Sequence, residues 1–478
     1  MTTGRRRLIV SLGLAAVLGL CSFGGGVHAQ EGAPPEAVAQ APAAAAVVNS
    51  GDTAWLLASA ALVMMMTAPG LALFYGGLVS QKNLLSTLMH SFFMVCLISV
   101  QWVLVGYTLA FGPGNLVGGF TYLFFGGVGQ DPLAGQTVPH LAFAVYQGMF
   151  AVITPALISG AIAERMRFSA YALFTLLWAT LVYDPLAHWV WASDGWLFKL
   201  PALDFAGGTV VHVSSGVSAL VACIVLGKRI GYGKKAFLPN SITLTLIGGG
   251  LLWFGWFGFN AGSALGASGL AAQAFVNTNT AAAMTGLAWA LIEWVHRGKP
   301  TVLGSVTGAV AGLVAITPAA GYVTVPASLL IGIGCAAVCY AGVNFLKPRL
   351  GYDDSLDVFG VHGLGGTFGA LATGVFATKT VNPAGADGLL AGNPQQLVNQ
   401  LIAVGAGWGI AIVGTLAILA LVRLVTPLRV TEEQELGGLD LALHGESAYN
   451  TSSAGTLTGL GDEARSHGGA PQAARATA

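Results

Sequence analysis

Charge is what this 478-residue chain has least of: Lys, Arg, Asp and Glu make up 8% of it, against roughly 25% in an ordinary soluble domain. That shortage argues against a string of water-exposed domains. Cysteine is also sparse, with five in all, Cys96, Cys223, Cys335 and Cys339 in apolar runs and Cys21 near the start. No spacing among them suggests a zinc site or a disulfide framework. Cys335 and Cys339, four apart, share a helix face and read as small packing residues. What is abundant is apolar residues, 55% of the chain, and glycine, 68 residues. Glycine at about twice average usage suits membrane helices, where small residues let backbones approach.

Residues 1–29 read as a secretory signal peptide. Arg5, Arg6 and Arg7 precede LIVSLGLAAVLGL, and VHA precedes Gln30 as a small-x-small cleavage site. Residues 30–52 form an Ala- and Pro-rich extracytoplasmic lead-in. From 53 to 426, apolar runs of about 20 residues mark membrane helices. Eleven are expected: 53–79, 84–111, 140–163, 169–191, 206–227, 240–262, 270–294, 301–318, 321–346, 356–378 and 398–426. One alternating set of connections holds thirteen Lys and Arg residues, the other only Lys199 and Lys379. The positive-inside rule makes the first set cytoplasmic, with the N-terminus outside and the C-terminus inside. Residues 451–478 are polar and small, the composition of a disordered extension.

Two stretches echo each other. DFAGGTVVH opens the fifth run with Asp204 and His212, and DVFGVH opens the tenth with Asp357 and His362. Five spans separate them, so the second copy is expected upside down, an inverted repeat of two five-helix halves plus one extra helix. At about 1.5 Å per residue the two imidazoles approach the bilayer midplane from opposite sides. A lone histidine reads as a satisfied core residue. A matched pair in two halves points to a substrate or proton path, because ionisable groups are expensive in a membrane. Gly208, Gly216 and Gly366, four residues from the rings, are expected to leave room for something to pass. An intramembrane metalloenzyme would need a third ligand and HExxH-like spacing, and the chain has neither, so no metal or cofactor is expected.

Other residues gather at the outer end. Trp256, Phe259 and Ser263 form one helix stripe, Gln147 and Phe150 share a face, and Trp191 lies at the outer interface. Trp191 and Ser263 fall at the outer mouth, with Phe150 and Phe259 about a turn further in. A tryptophan face attracts cations, and a serine oxygen accepts a directional hydrogen bond. Together they suit a small cation that donates hydrogen bonds. Asp204 caps the fifth span or adds negative field at the mouth. Asp184, before Pro185, has no assigned role.

The stretches GLALFYGG (70–77), LDFAGGTVVH (203–212), GWFGFNAGS (255–263), GLVAITPAAG (312–321), DVFGVHG (357–363) and LRVTEEQELGGLDLALHGESAYN (428–450) closely resemble the ammonium transporter (Amt/MEP/Rh) family, of the bacterial Amt type. The resemblance covers nearly all of 53–450. It implies a non-enzymatic, all-α membrane transporter, a homotrimer in the bacterial inner membrane with one conduction path per subunit. It also implies roles: Trp191 and Ser263 as the outer ammonium site with Gln147 and Trp256 in support, Phe150 and Phe259 as the gate, and His212 and His362 as twin pore histidines. Asp204 would be the acidic residue at the outer end of the fifth span. Tyr146 is a departure, some members having phenylalanine there, which would make the outer site more polar. Segment 427–450 resembles a cytoplasmic regulatory tail that contacts neighbouring subunits and a PII-type signal protein, and Glu432, Glu433 and Glu435 suit docking on the basic face. The expected function is recruitment and deprotonation of ammonium (with methylammonium as an analogue), passage of ammonia, and proton relay with electrogenic uptake. The alternatives are a passive ammonia channel, or a sensor with little flux.

Overall fold

The computed structural model describes residues 47–449, so the expected signal peptide, most of the lead-in and the 451–478 extension lie outside the described residues. Among the described residues the chain is a helical bundle without a named strand. Each of the eleven apolar runs is helical. We number the helices α1 (Ser50–Leu78), α2 (Gln81–Phe111), α3 (His140–Ile162), α4 (Phe168–Lys199), α5 (Gly208–Leu226) and α6 (Ile242–Ala264). There follow α7 (Gly269–Arg297), α8 (Val302–Ile316), α9 (Val325–Leu350), α10 (Phe359–Gly363 continuing as Leu364–Phe376), α11 (Pro394–Val425) and the short α12 (Glu432–Gly437). Eight are long and apolar enough to cross a bilayer; α7 and α10 are not among them, and α8 has 15 residues. The molecule is thus a multi-pass membrane protein, with α3 and α5 the most enclosed of its spans.

The two halves match in the structure, but on a different carboxylate from the one the motif suggests. Asp204 accepts hydrogen bonds from four backbone amides at the start of α5: Gly207 at 2.9 Å, Gly208 at 2.5 Å, Thr209 at 2.9 Å and Val210 at 3.0 Å. Its counterpart at the start of α10 is Asp354, which accepts from Phe359 N at 2.8 Å. Asp357 instead turns its carboxylate to Lys347 Nζ at 2.6 Å. It occupies the left-handed position that Gly207 occupies in the other half, with φ of +61° against +108°. The histidine follows the capping carboxylate by eight residues in both halves. Capping satisfies amides that a helix start leaves orphaned, and burial pushes both capping carboxyls up to about 6.

At the end of the bundle that carries the basic loops, buried ions tie connections together. Arg229 bridges Glu164 at 2.5 Å and Asp353 at 2.8 Å. Ser80 and Asn83 also donate to Glu164, and Arg165 donates to Gly227 O and Ser355 Oγ. Segment 428–446 lies on this face. Glu435 pairs with Arg429 at 2.8 Å and accepts from Ile230 N, while Asp440 accepts from Leu85 N and Ser86 N at the start of α2. Glu432 and Glu433, expected to join the docking, are exposed.

Burial alone would raise the carboxyls of Glu164 and Asp353, but the Arg229 guanidinium, together with hydrogen bonds from Ser80 and Asn83 to Glu164 and the charge of Arg165 near Asp353, holds both below the usual range. Folded values below the unfolded ones give stability that is present above about pH 4 and lost as the pH falls through the folded values. Arg229→Ala leaves two buried carboxylates unpaired and should cost about 3–5 kcal/mol. The readout is a lowered thermal unfolding midpoint of the detergent-purified protein. The wild-type midpoint should itself decline below about pH 4.

Candidate functional site

Both histidines sit on widened turns. In α5 the amide of His212 donates to Gly207 O at 3.1 Å, five residues back, and the first turn of α10 around His362 has the same wide form. Such turns commonly mark functional positions. The helices cross at these turns. A Cβ on Gly216 would lie 2.1 Å from Gly363 N, and a Cβ on Gly366 would lie 2.9 Å from His212 Cβ and 3.0 Å from Gly208 O. Each glycine therefore receives the histidine turn of the opposite half. Gly208 likewise abuts Pro318, at 2.4 Å from where a Cβ would stand. The glycines are there for close helix contact, not to leave a lumen open beside the rings.

This crossing brings the imidazoles together, with Nδ1 of His212 and Nδ1 of His362 3.2 Å apart. Both rings are buried, and His212 Nε2 has no protein partner. Trp256 stacks on His212 at 5.3 Å between centroids and donates Nε1 to Thr317 Oγ1 at 2.9 Å. It therefore stands beside the histidines rather than in the outer cluster expected for it. Thr317, which fixes the indole, was not singled out in the sequence, where it is one small polar residue in an apolar helix end.

Above His212 lies Phe259, 6.0 Å away, in contact with Phe150 at 4.3 Å and an interplanar angle of 37°. Phe150 meets Trp191 edge-on at 5.8 Å, and Trp191 Nε1 donates to Asp204 O at 3.0 Å. Ser263 Oγ lies 2.9 Å from Phe259 O and 3.1 Å from the Tyr146 hydroxyl. So the structure brings Trp191, Tyr146, Phe150, Phe259 and Ser263 together, while Gln147 is half-buried next along α3. Asp184 lies elsewhere, its Oδ2 accepting from Gln101 at 2.7 Å. No group of three or more His, Cys, Asp or Glu residues suited to a metal occurs among the described residues.

Two spaces meet at His362. One is a tight cavity with about 10 Å³ for the centre of a water-sized sphere, lined by His212, Trp256, Phe259 and apolar residues such as Ile153 and Leu252. That is room for about one water. The other is a vestibule of about 700 Å³ that opens past Val361, Asp357 and Arg297. A buried aromatic cluster, two facing imidazoles beside a small cavity and a wide chamber beyond them lie inside this multi-pass membrane protein.

Comparison with known proteins narrows the class. The chain matches the Ammonium Transporter Family over residues 54–449. It is 56% identical over 407 residues to an ammonium transporter of Bacillus subtilis, covering 85% of this chain and all of the other. The crystal structure of Candida albicans Mep2 superposes with a TM-score of 0.77 at 39% identity, covering 84% of this chain and 91% of that one. A structure described as a sensor Amt protein superposes with a TM-score of 0.76 at 29% identity, covering 82% and 98%. The chain belongs to the ammonium transporter family.

The crossing gives a direct test. Gly216→Ala puts a methyl into the Gly363 backbone and should cost about 1–3 kcal/mol or more, lowering the unfolding midpoint and separating the rings. An unchanged midpoint would mean that the helices cross less closely than the 2.1 Å approach to Gly363 N requires.

Proposed function

We propose that this chain is an ammonium transporter that recruits ammonium at the Trp191–Ser263 mouth, deprotonates it behind the Phe150–Phe259 pair and passes ammonia to the vestibule. The observation that carries the reading is the 3.2 Å contact between the two Nδ1 atoms where the tight cavity meets the vestibule. A hydrogen bond between two Nδ1 atoms needs a proton on one and a lone pair on the other. When His212 Nδ1 donates, His212 Nε2 is left as an acceptor, and neutral His362 carries its proton on Nε2. The pair then accepts a proton at one end and offers one at the other. Ammonium gives its proton to His212 Nε2 and crosses as ammonia; the proton between the rings shifts from His212 Nδ1 to His362 Nδ1, His362 Nε2 releases its proton to water in the vestibule, and the pair is left with its polarity reversed.

The dry constriction supports deprotonation because carrying a full charge through it is costly. Potassium has no proton to leave behind. In this reading the eleven helices all cross the membrane, the N-terminus lies outside and the C-terminus inside, and the halves form an inverted repeat. The protein works as a homotrimer in a bacterial inner membrane after removal of its signal peptide. Segment 427–450 meets a PII-type signal protein at the cytoplasmic face. Asp204 acts as the cap of α5, and Asp357 acts structurally at the vestibule rim, holding Lys347. A sensing role is the second reading, favoured by the likeness to the sensor Amt protein. Uptake of labelled methylammonium separates the two.

Adding ammonium to proteoliposomes should evoke an inward current with saturable concentration dependence. Ammonia flux without current would remove the electrogenic relay. Replacing both His212 and His362 with apolar residues should abolish the current, or let potassium carry it; retained current with retained discrimination against potassium would overturn the relay.

A further inference from the structure

Tyr146 looks at first like a ligand of the outer site, but its hydroxyl is already committed. The ring is buried, and its oxygen lies 3.0 Å from Gly258 O, 2.8 Å from Phe259 O and 3.1 Å from Ser263 Oγ. Ser263 Oγ in turn lies 2.9 Å from Phe259 O. The cluster therefore holds two hydroxyl protons and two carbonyl oxygens that can only accept. Tyrosine donates to a carbonyl or to serine. Serine donates to Phe259 O or to tyrosine. In every arrangement that uses both protons, the serine proton points into the cluster, and a serine lone pair is left for a donor arriving from the mouth.

We infer that Tyr146 is a positioning residue that locks the Ser263 hydroxyl and the backbone of the Phe259 gate into one unit, with the serine held as a hydrogen-bond acceptor. The inference rests on the proposed function and names what sets the polarity of its outer site. Three further contacts make the lock rigid. The Tyr146 ring meets Phe150 edge-on at 5.1 Å, so the same side chain contacts one gate ring and the backbone of the other. Gly262 leaves the phenol its space, since a Cβ there would stand 2.7 Å from the hydroxyl oxygen. Trp55 Nε1 donates to Ala261 O at 3.2 Å and holds the same end of α6 from the other side. The lock favours a cargo that donates hydrogen bonds, such as ammonium or methylammonium, over a bare cation of like size.

Labelled methylammonium uptake into proteoliposomes tests it. Tyr146→Phe should raise KM about three- to tenfold, the usual worth of one buried hydrogen bond, with the maximal rate changed less than twofold. Because the two hydroxyls act as a unit, Ser263→Ala should raise KM less in the Tyr146→Phe background than in the wild type. Gly262→Ala, which crowds the phenol from outside the ring, should raise KM in the same way and serves if Tyr146→Phe does not fold. An unchanged KM in the folded variants, or full additivity of Tyr146→Phe and Ser263→Ala, would overturn the lock. A lower maximal rate at constant KM would also overturn it, since it signals only less folded protein. Absence of saturable uptake by the wild type would instead defeat the transport reading on which the lock rests.

Discussion

Two helix starts cross where only glycine fits, and the interior of this protein is organised around that crossing. Gly216 lies against the turn of His362, and Gly366 against the turn of His212. Any side chain at either place would separate the imidazoles. The crossing also explains the irregular backbone. A helix that widens at its first turn leaves amides short of partners, and a membrane interior supplies no water to satisfy them. Asp204 and Asp354 supply the missing acceptors, one for four amides and the other for the Phe359 amide. The carboxylates are thus the condition on which the wide turns, and so the meeting of the rings, depend.

The same economy holds at the end with the basic loops. Asp353 and Asp354 are adjacent, yet they face different tasks. Asp353 holds Arg229, which also holds Glu164 between α3 and α4. Asp354 caps α10. Loops from both halves therefore converge one residue away from the cap of the His362 helix. Segment 428–446 joins the same system through Glu435 and Asp440, anchored on backbone amides and Arg429, with Lys82 Nζ donating to the carbonyls of Glu435 and Leu436 rather than to a carboxylate. Charge counting located the face, but it could not select the carboxylate that docks, because hydrogen-bond geometry rather than net charge decides it.

Much of this was legible in the sequence because it follows from periodicity and composition. Long apolar runs became helices, and the repeated Asp–Gly–His pattern identified the two rings that meet. The error over Asp357 came from reading the nearest acid before the histidine. Equal spacing would have corrected it, since eight residues separate Asp204 from His212 and Asp354 from His362. Trp256 was misplaced for another reason. It does share a stripe with Phe259 and Ser263, but a stripe runs the length of a helix, and depth along it is set by crossings that no single segment encodes. The Glu164–Arg229–Asp353 network stayed hidden because its members lie on three distant connections, each resembling an ordinary charged loop.

On the proposed function, the order of chemistry along the path is itself an argument about the cargo. The hydroxyls and the indole come first, the apolar pair next and the imidazoles after that. A polar group placed within the constriction would lower the cost of carrying charge for any cation and would erase selectivity. In this reading the half-buried Ser263 hydroxyl stands outside Phe150 and Phe259, where discrimination by one hydrogen bond is modest. Past the rings, the nitrogen left without a protein partner is His212 Nε2, in a space fit for about one water-sized molecule. In the proposed cycle, a weak polar test followed by a strict proton test would separate two ions of similar size better than either could alone, because an ion that passes the first without a proton to yield would have to enter the second still fully charged.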